Sequence, residues 1–474
     1  MKTLFIVKDP VAKQGVMSLC AYVKGRGHDA DVLVYTIDTH LGRSLEEHRP
    51  DLIGFSCTTG AHQWAEKLAE EIKARHDIPV ILGGPHATFF PEGLEHSPFD
   101  FLCQGEGEGA LLDLLEALRD AGRAEIPPIP NIWSRSNGKV TPAAVRELIQ
   151  DLDQLPFADR SVYFKHKPIL KFHMDHFSFI SGRGCPFSCA FCYNGAGKAL
   201  YRGKGRYVRK RSVDHCIEEL LQAKGQYPLR RVVFEDDTFI LNEAWILEFL
   251  ERYRESVALP FIGNTRADQV TEELVSALKR AGCTGVKMGV ETGREAIRNG
   301  ILKKGISDDS FRRAAALFHK AGIDIQSFNI VGIPGGSLEA DWETVRFNIE
   351  LGVKHAWCSI MAPYPKTEIM EFSIRQGYLR HEEIGDGFFR ETYFSPSKLR
   401  IPDKRRVTNL HHFFDLCVQH PRLIPLVRIL IALPLGFVYE RLFKLHHSIS
   451  LRGFYRFRWS VYLRFLWYCR KMYQ

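Results

Sequence analysis

Short apolar runs alternate with amphipathic stretches along most of this chain, and that alternation restricts the fold more than any other feature. The runs TLFIV (3–7), ADVLVY (30–35), DLIGFSC (51–57), PVILGG (79–84) and FDFLC (99–103) are of strand length. Helical periodicity fills intervals between them, from Val16 to Lys24 and Ala61 to Arg75, and continues from Glu108 to Asp120. Strands separated by helices pair in parallel, with both faces of the sheet covered. Right-handed crossovers then predict a doubly wound, Rossmann or flavodoxin-like α/β domain over residues 1–125, with its ligand beyond the carboxyl ends of the strands.

Residues 126–170, which include PPIPNIW and DLDQLPFADR, read as a connector. A second alternating series follows: FSFISG (177–182), RVVFE (231–235), FIGN (261–264), GVKMGV (285–290), DIQSFNIVG (324–332) and AWCSIMA (356–362). Six βα units in this order predict a partial (β/α)6 barrel over 171–400, with the site at the carboxyl ends of its strands. Residues 401–474 read as a helical, aromatic and basic region.

Charge and cysteine content narrow the setting. The net charge is +8, yet Pro421–Gln474 holds ten Lys/Arg against one acid, Glu440, so the rest of the chain is close to neutral. Eleven cysteines at scattered spacings do not form a disulfide framework. The opening run MKTLFIVKDP is too short for a secretory signal, so the expected setting is a reducing cytoplasm.

The segment Ser181-Gly-Arg-Gly-Cys185-Pro-Phe-Ser-Cys189-Ala-Phe-Cys192 brings three thiols into one tight loop directly after a strand. Soft sulfur ligands suit iron–sulfur or zinc centres. Three ligands with no evident fourth leave a coordination position open, whereas structural zinc takes four. A zinc knuckle borrowing a distant His or Cys is the alternative reading.

At these residues the chain resembles the radical S-adenosylmethionine (SAM) superfamily, whose hallmark is C-x3-C-x2-C after the first barrel strand. The resemblance implies a 4Fe–4S cluster on Cys185, Cys189 and Cys192, with SAM on the open iron and a 5′-deoxyadenosyl radical as its product. It further implies Phe191 near the adenine and an acid among Glu235, Asp236 and Asp237 at the SAM ammonium. Arg266 of Asn264-Thr-Arg266 and Glu291 of Gly289-Val-Glu291-Thr-Gly293 resemble residues that line the SAM site. An ordinary acidic turn and structural ion pairs are the plain readings of these groups. Val331-Gly-Ile-Pro-Gly335-Gly336 resembles the family's Gly-x-Pro-Gly-Glu turn with its acid replaced.

A parallel domain ahead of such a core resembles the cobalamin-binding domain of one subgroup. The likeness rests on Ser56-Cys-Thr58, Gly83-Gly84-Pro-His86 and Gln104-Gly105-Glu106, which would approach a corrin or its nucleotide tail. The D-x-H-x-x-G motif is missing: Val11 stands where the cobalt-binding histidine would be. His86 reads as a loop hydrogen-bonder before it reads as a cobalt ligand, and a flavodoxin-like domain without corrin is the rival.

The tail adds a partner. Leu423–Val438 is apolar but broken by Pro425, Arg428 and Pro434, too short to span a bilayer. From Phe454 to Tyr473, Arg456, Arg458, Arg464, Arg470 and Lys471 mix with Trp459, Phe465 and Trp467, which suits an interfacial helix at the inner membrane surface. A helical cap on the barrel is the plain alternative, and nucleic acid fits less well. The combined expectation is a cobalamin-dependent radical SAM methyltransferase acting on an unactivated carbon of a lipid-like or other small molecule, served by an electron donor. A radical SAM cyclase or rearrangement enzyme is the alternative, and an iron–sulfur or corrin sensor is the third.

Overall fold

The computed structural model describes residues 1–38, 40–121, 126–240, 243–384 and 397–469. They form two compact units: Met1–His173 with Ala199–Arg209 and the residues from Ser460, and Met174–Lys198 with Lys210–Trp459.

The first unit is built on a seven-stranded sheet of β1 (Lys2–Val7), β2 (Asp29–Val34), β3 (Leu52–Ser56), β4 (Val80–Gly83), β5 (Phe101–Cys103), β6 (Ile132–Ser136) and β7 (Lys139–Thr141). Its order is β2-β1-β3-β4-β5-β6-β7, and the first five strands are parallel. Thr3 through Val7 are all buried, because helices cover both faces of a parallel sheet and leave no polar alternation. On one face Leu68, Ala69 and Ile72 of the helix His62–Lys73 join Ile53, Phe55 and Leu82 in the core. The chain leaves β1 toward β2 on one side and reaches β3 on the other, so the strand-end loops diverge there and open a crevice.

Residues 132–141 are not part of a plain connector. They form an antiparallel hairpin on the edge of β5, with Phe101 opposite Ser134 and Ser136 opposite Lys139. Asn137 and Gly138 both take positive φ (50° and 75°), the conformation a two-residue turn of type I′ requires.

The second unit holds a six-stranded sheet: β8 (Phe177–Phe179), β9 (Val232–Phe234), β10 (Phe261–Thr265), β11 (Cys283–Glu291), β12 (Asp324–Val331) and β13 (His355–Ile360). The spatial order repeats the chain order and every pairing is parallel. Successive crossovers therefore advance in one direction and give a barrel-like sheet rather than a doubly wound one. Phe234 packs outward on Phe249 and Tyr253 of the helix Glu243–Ser256. The alternate residue Val233 faces the other way and meets Ile262 and Phe454.

Phe454 and Phe457 are buried, and the Tyr455 carbonyl accepts from the Arg231 guanidinium. The start of the expected interfacial stretch is thus packed on the sheet and not presented to solvent. Trp459 and Trp467 are exposed, whereas Phe465 stacks on Phe172 at 3.6 Å within the first unit. Arg470 and Lys471 lie outside the described residues. Among the described residues no helix is long and apolar enough to cross a membrane.

Candidate functional site

The cysteine loop leaves β8 and is pinned at its start and along its length. Asp236 accepts from the Ser181 amide and from its hydroxyl at 2.6 Å, and the Lys210 ammonium donates to the same two side chains. Gly184 takes a φ of +83°, which turns the chain into the loop. The Lys198 ammonium binds the Pro186 and Phe187 carbonyls at 3.0 and 2.9 Å. Ala190 donates to the Leu302 carbonyl and accepts from the Ile369 amide, so the middle of the loop is tied to two other segments.

All three thiols are free, and polar groups surround them. The Cys185 sulfur lies 3.7 Å from the Thr238 hydroxyl, and the Cys189 sulfur 3.9 Å from Nη1 of Arg266. Cys192 accepts from the backbone and side-chain amides of Asn194 at 3.5 and 3.4 Å. Burial pushes the Cys189 and Cys192 thiols above their ordinary range, opposed by Lys304 and Arg266 at the first and by Asn194 at the second. Among the described residues no three His, Cys, Asp or Glu side chains converge on a single ion. A four-iron cluster, which takes one thiolate at each of three separate irons, is compatible with this donor set. N–H groups directed at sulfur suit an anionic cluster.

The three strand-end acids divide their tasks. Asp236 is buried and committed to Ser181 and Lys210. Glu235 pairs with Lys287 at 2.8 Å, and Lys287 is itself buried. Asp237 is solvent-exposed and meets Asn194 at 3.2 Å, beside Cys192; desolvation by the surrounding chain and the neighbouring Asp236 raise its carboxyl. Of the three, Asp236 holds the start of the cysteine loop and Asp237 stands beside Cys192 at its end. Phe191 is half-buried and packs against the apolar cluster that includes Ile297, Ile333 and Met361.

Arg266 lies flat over the Phe187 ring at 3.5 Å, forks onto both Asp268 oxygens at 3.1 Å and donates to the Lys304 carbonyl. Glu291 ends β11 with a φ of +64°, uncommon for a residue with a side chain, and binds the Lys304 ammonium at 2.6 Å. Gly289 makes room for this pair, since a Cβ there would stand 2.3 Å from the Glu291 carboxylate. After β12, the Gly332 amide donates to Asp341, whose carboxyl burial raises to about 7. Sequence reasoning missed Asn194, Lys198, Thr238 and Lys304. Only Asn194, two residues from Cys192, carried a positional hint.

In the first unit the named residues fall on the loops at the strand ends. Gly84 takes φ +88° and ψ −171°, a glycine conformation, and a Cβ there would meet the Cys57 backbone at 2.9 Å. Ser56 is half-buried, Thr58 exposed, and a Cβ at Gly83 would meet the Phe55 carbonyl at 3.7 Å and the Cys103 Cβ at 3.8 Å. Such a shelf of small residues and bare backbone fits a broad, flat ligand such as a corrin. His86 stacks on His62 at 3.7 Å and contacts the Thr59 hydroxyl. Val11 is exposed and its amide is held by Asp9, so no imidazole stands at that loop position. Gly105 (φ +97°) leaves space for the Tyr201 hydroxyl, and Glu106 is held by Arg209 at 3.0 Å and by the Ile149 amide. These two residues brace the unit.

Two family models match the chain: the radical SAM superfamily over residues 179–347 and the B12 binding domain over residues 6–115. An uncharacterized methyltransferase of Pyrococcus horikoshii is 31% identical over 346 residues, 72% of each chain. The cytidylyl-2-hydroxyethylphosphonate methyltransferase of Streptomyces wedmorensis is 24% identical over 399 residues, 75% of this chain and 72% of that one. Among solved structures, the radical SAM methyltransferase TsrM of Kitasatospora setae, with cobalamin and a [4Fe-4S] cluster bound, has a TM-score of 0.65 at 18% identity, over 80% of this chain and 79% of its own. The chain belongs to the radical SAM superfamily, in the branch that carries a B12 binding domain, and is a radical SAM enzyme.

Proposed function

We propose that this cobalamin-dependent radical SAM methyltransferase acts on an unactivated carbon of a lipid-like or other small molecule. The observation that carries the reading is the loop of Cys185, Cys189 and Cys192, pinned at its start and along its length and met by N–H donors from Asn194 and Arg266. When bound, the cluster supplies an electron to SAM and cobalamin carries the methyl group.

The chain's own residues do the holding and shielding. The three thiolates would hold the cluster, whose negative charge the Arg266 guanidinium would offset and the Asn194 N–H groups would meet with hydrogen bonds. Asp237 is the acid that meets the SAM ammonium, and Phe191 closes the apolar side of the site. The Glu291–Lys304 pair stiffens the end of β11 and keeps two charges satisfied in a space closed to water. In the first unit Ser56, Thr58, Gly83 and Gly84 receive the corrin or its nucleotide tail. With Val11 at the histidine position, that loop would offer a bound cobalamin no imidazole.

Anaerobic reconstitution with iron, sulfide and hydroxocobalamin tests the reading. About four irons and about one cobalt per chain are expected, with both S-adenosylhomocysteine and 5′-deoxyadenosine formed from SAM under a strong reductant. Replacing all three cysteines with alanine should remove the iron and deoxyadenosine while cobalt is retained. Deoxyadenosine without S-adenosylhomocysteine would refute methyl transfer, and stoichiometric zinc in place of iron would refute the cluster.

A further inference from the structure

We propose that the helix Gly436–Tyr455, together with the helix Ile424–Leu430 before it, docks the protein on an anionic lipid surface. The inference stands apart from the methyl-transfer reading. Of the fourteen exposed large apolar side chains among the described residues, nine fall between Leu426 and Ile449. Scattered single residues of this kind are ordinary on a protein surface, but this concentration is not.

Their arrangement on the longer helix is regular. Val438, Leu442, Leu445 and Ile449 follow one another at four, three and four residues and are 47%, 51%, 63% and 51% exposed. Helical geometry puts them on one stripe. A neighbouring stripe, Tyr439, Phe443, Ser450 and Phe454, is buried. Tyr439 contacts Phe413 and Phe443 contacts His411, both on the helix Lys404–Gln419. The helix therefore has its packing against the protein complete and a second apolar stripe left over.

Charge selects what covers that stripe. Between Pro421 and Trp459 there are seven basic residues and one acid; Arg428, Arg456 and Arg458 pair with Glu339, Asp324 and Asp175, and the other four lie at Arg422, Arg441, Lys444 and Arg452. Arg441 lies over the Phe437 ring at 4.0 Å, and Lys444 pairs with Glu440. Long cationic side chains on the flank of an apolar stripe reach lipid phosphates while their stems stay with the acyl chains. Two copies of this surface would bring like charges together, which disfavours self-association. Aliphatic side chains also offer nucleotide bases no stacking platform. An anionic bilayer satisfies both the stripe and the charge.

The test is co-sedimentation of the full-length holoenzyme with phosphatidylcholine vesicles, with and without phosphatidylglycerol. Binding should be at least tenfold tighter to the anionic vesicles and should weaken in high salt. Leu442→Glu with Leu445→Glu, both solvent-facing, should cut binding at least tenfold while circular dichroism and iron and cobalt content stay unchanged. A second variant, Arg441→Glu with Lys444→Glu, should lose the preference for anionic lipid. Absence of binding to anionic vesicles, or undiminished binding by the first variant, would overturn the proposal. So would a dimer in lipid-free solution that the first variant dissociates, since that would assign the stripe to a second copy of the chain.

Discussion

The Glu291–Lys304 pair offers the sharpest test of how the barrel end is built. Both side chains are more than nine-tenths buried and 2.6 Å apart, at the end of β11 where Glu291 holds a φ of +64°. Glu291→Gln keeps the shape and backbone but removes the charge, which leaves the Lys304 ammonium buried without a counter-ion. Breaking a buried pair from one side costs about 3–5 kcal/mol, and an amide oxygen that still accepts a hydrogen bond puts this case at about 3 kcal/mol. At about 1.4 kcal/mol per factor of ten, hydrogen-exchange protection of β11 amides that open with the pair falls about a hundredfold. Lys304→Met and Glu291→Met should each cost a similar amount, while the two combined should recover most of it, so the singles are far from additive. Any of these single substitutions costing less than about 1 kcal/mol would refute a desolvated pair. SAM affinity separates a second role: its loss in Glu291→Gln but not in Lys304→Met would make Glu291 a ligand contact in its own right.

Two further outcomes follow from local geometry. Gly84→Ala places a side chain in a glycine-only conformation against the Cys57 backbone, so the first unit should lose about 1–3 kcal/mol in urea unfolding and retain less cobalamin after gel filtration; an unchanged midpoint would contradict the loop conformation. Asp341 has a carboxyl raised to about 7 by burial, so the folded state holds its proton more tightly than the unfolded one. Stability from this group is therefore lost as pH rises from about 4 to about 7, by up to about 4 kcal/mol, and Asp341→Asn should flatten that part of the pH–stability curve.

The hairpin at residues 132–141 was legible and overlooked. Ser136-Asn137-Gly138-Lys139 carries the Asn-Gly pair that a type I′ turn favours, but short strands rich in Ser and Arg and flanked by prolines resemble loop. The tail shows the opposite case. Its composition indicated a lipid surface, yet composition does not distinguish Phe454, packed on Val233 and Ile262, from Leu445, which is exposed. Helical phase alone does not say which of two apolar stripes meets the protein.

Local pattern determined the succession of strands and helices, the parallel strands of both sheets and the three-cysteine loop, because periodicity and close ligand spacing are written within a few residues of each other. Tertiary structure alone decided which acid stands beside Cys192 and which are consumed elsewhere. Asp236 is tied to Ser181, 55 residues away, Glu235 to Lys287, 52 away, and Arg266 to the carbonyl of Lys304, 38 away. Partners so distant in sequence meet only when the parallel strands align in register, so packing settles which group each side chain binds.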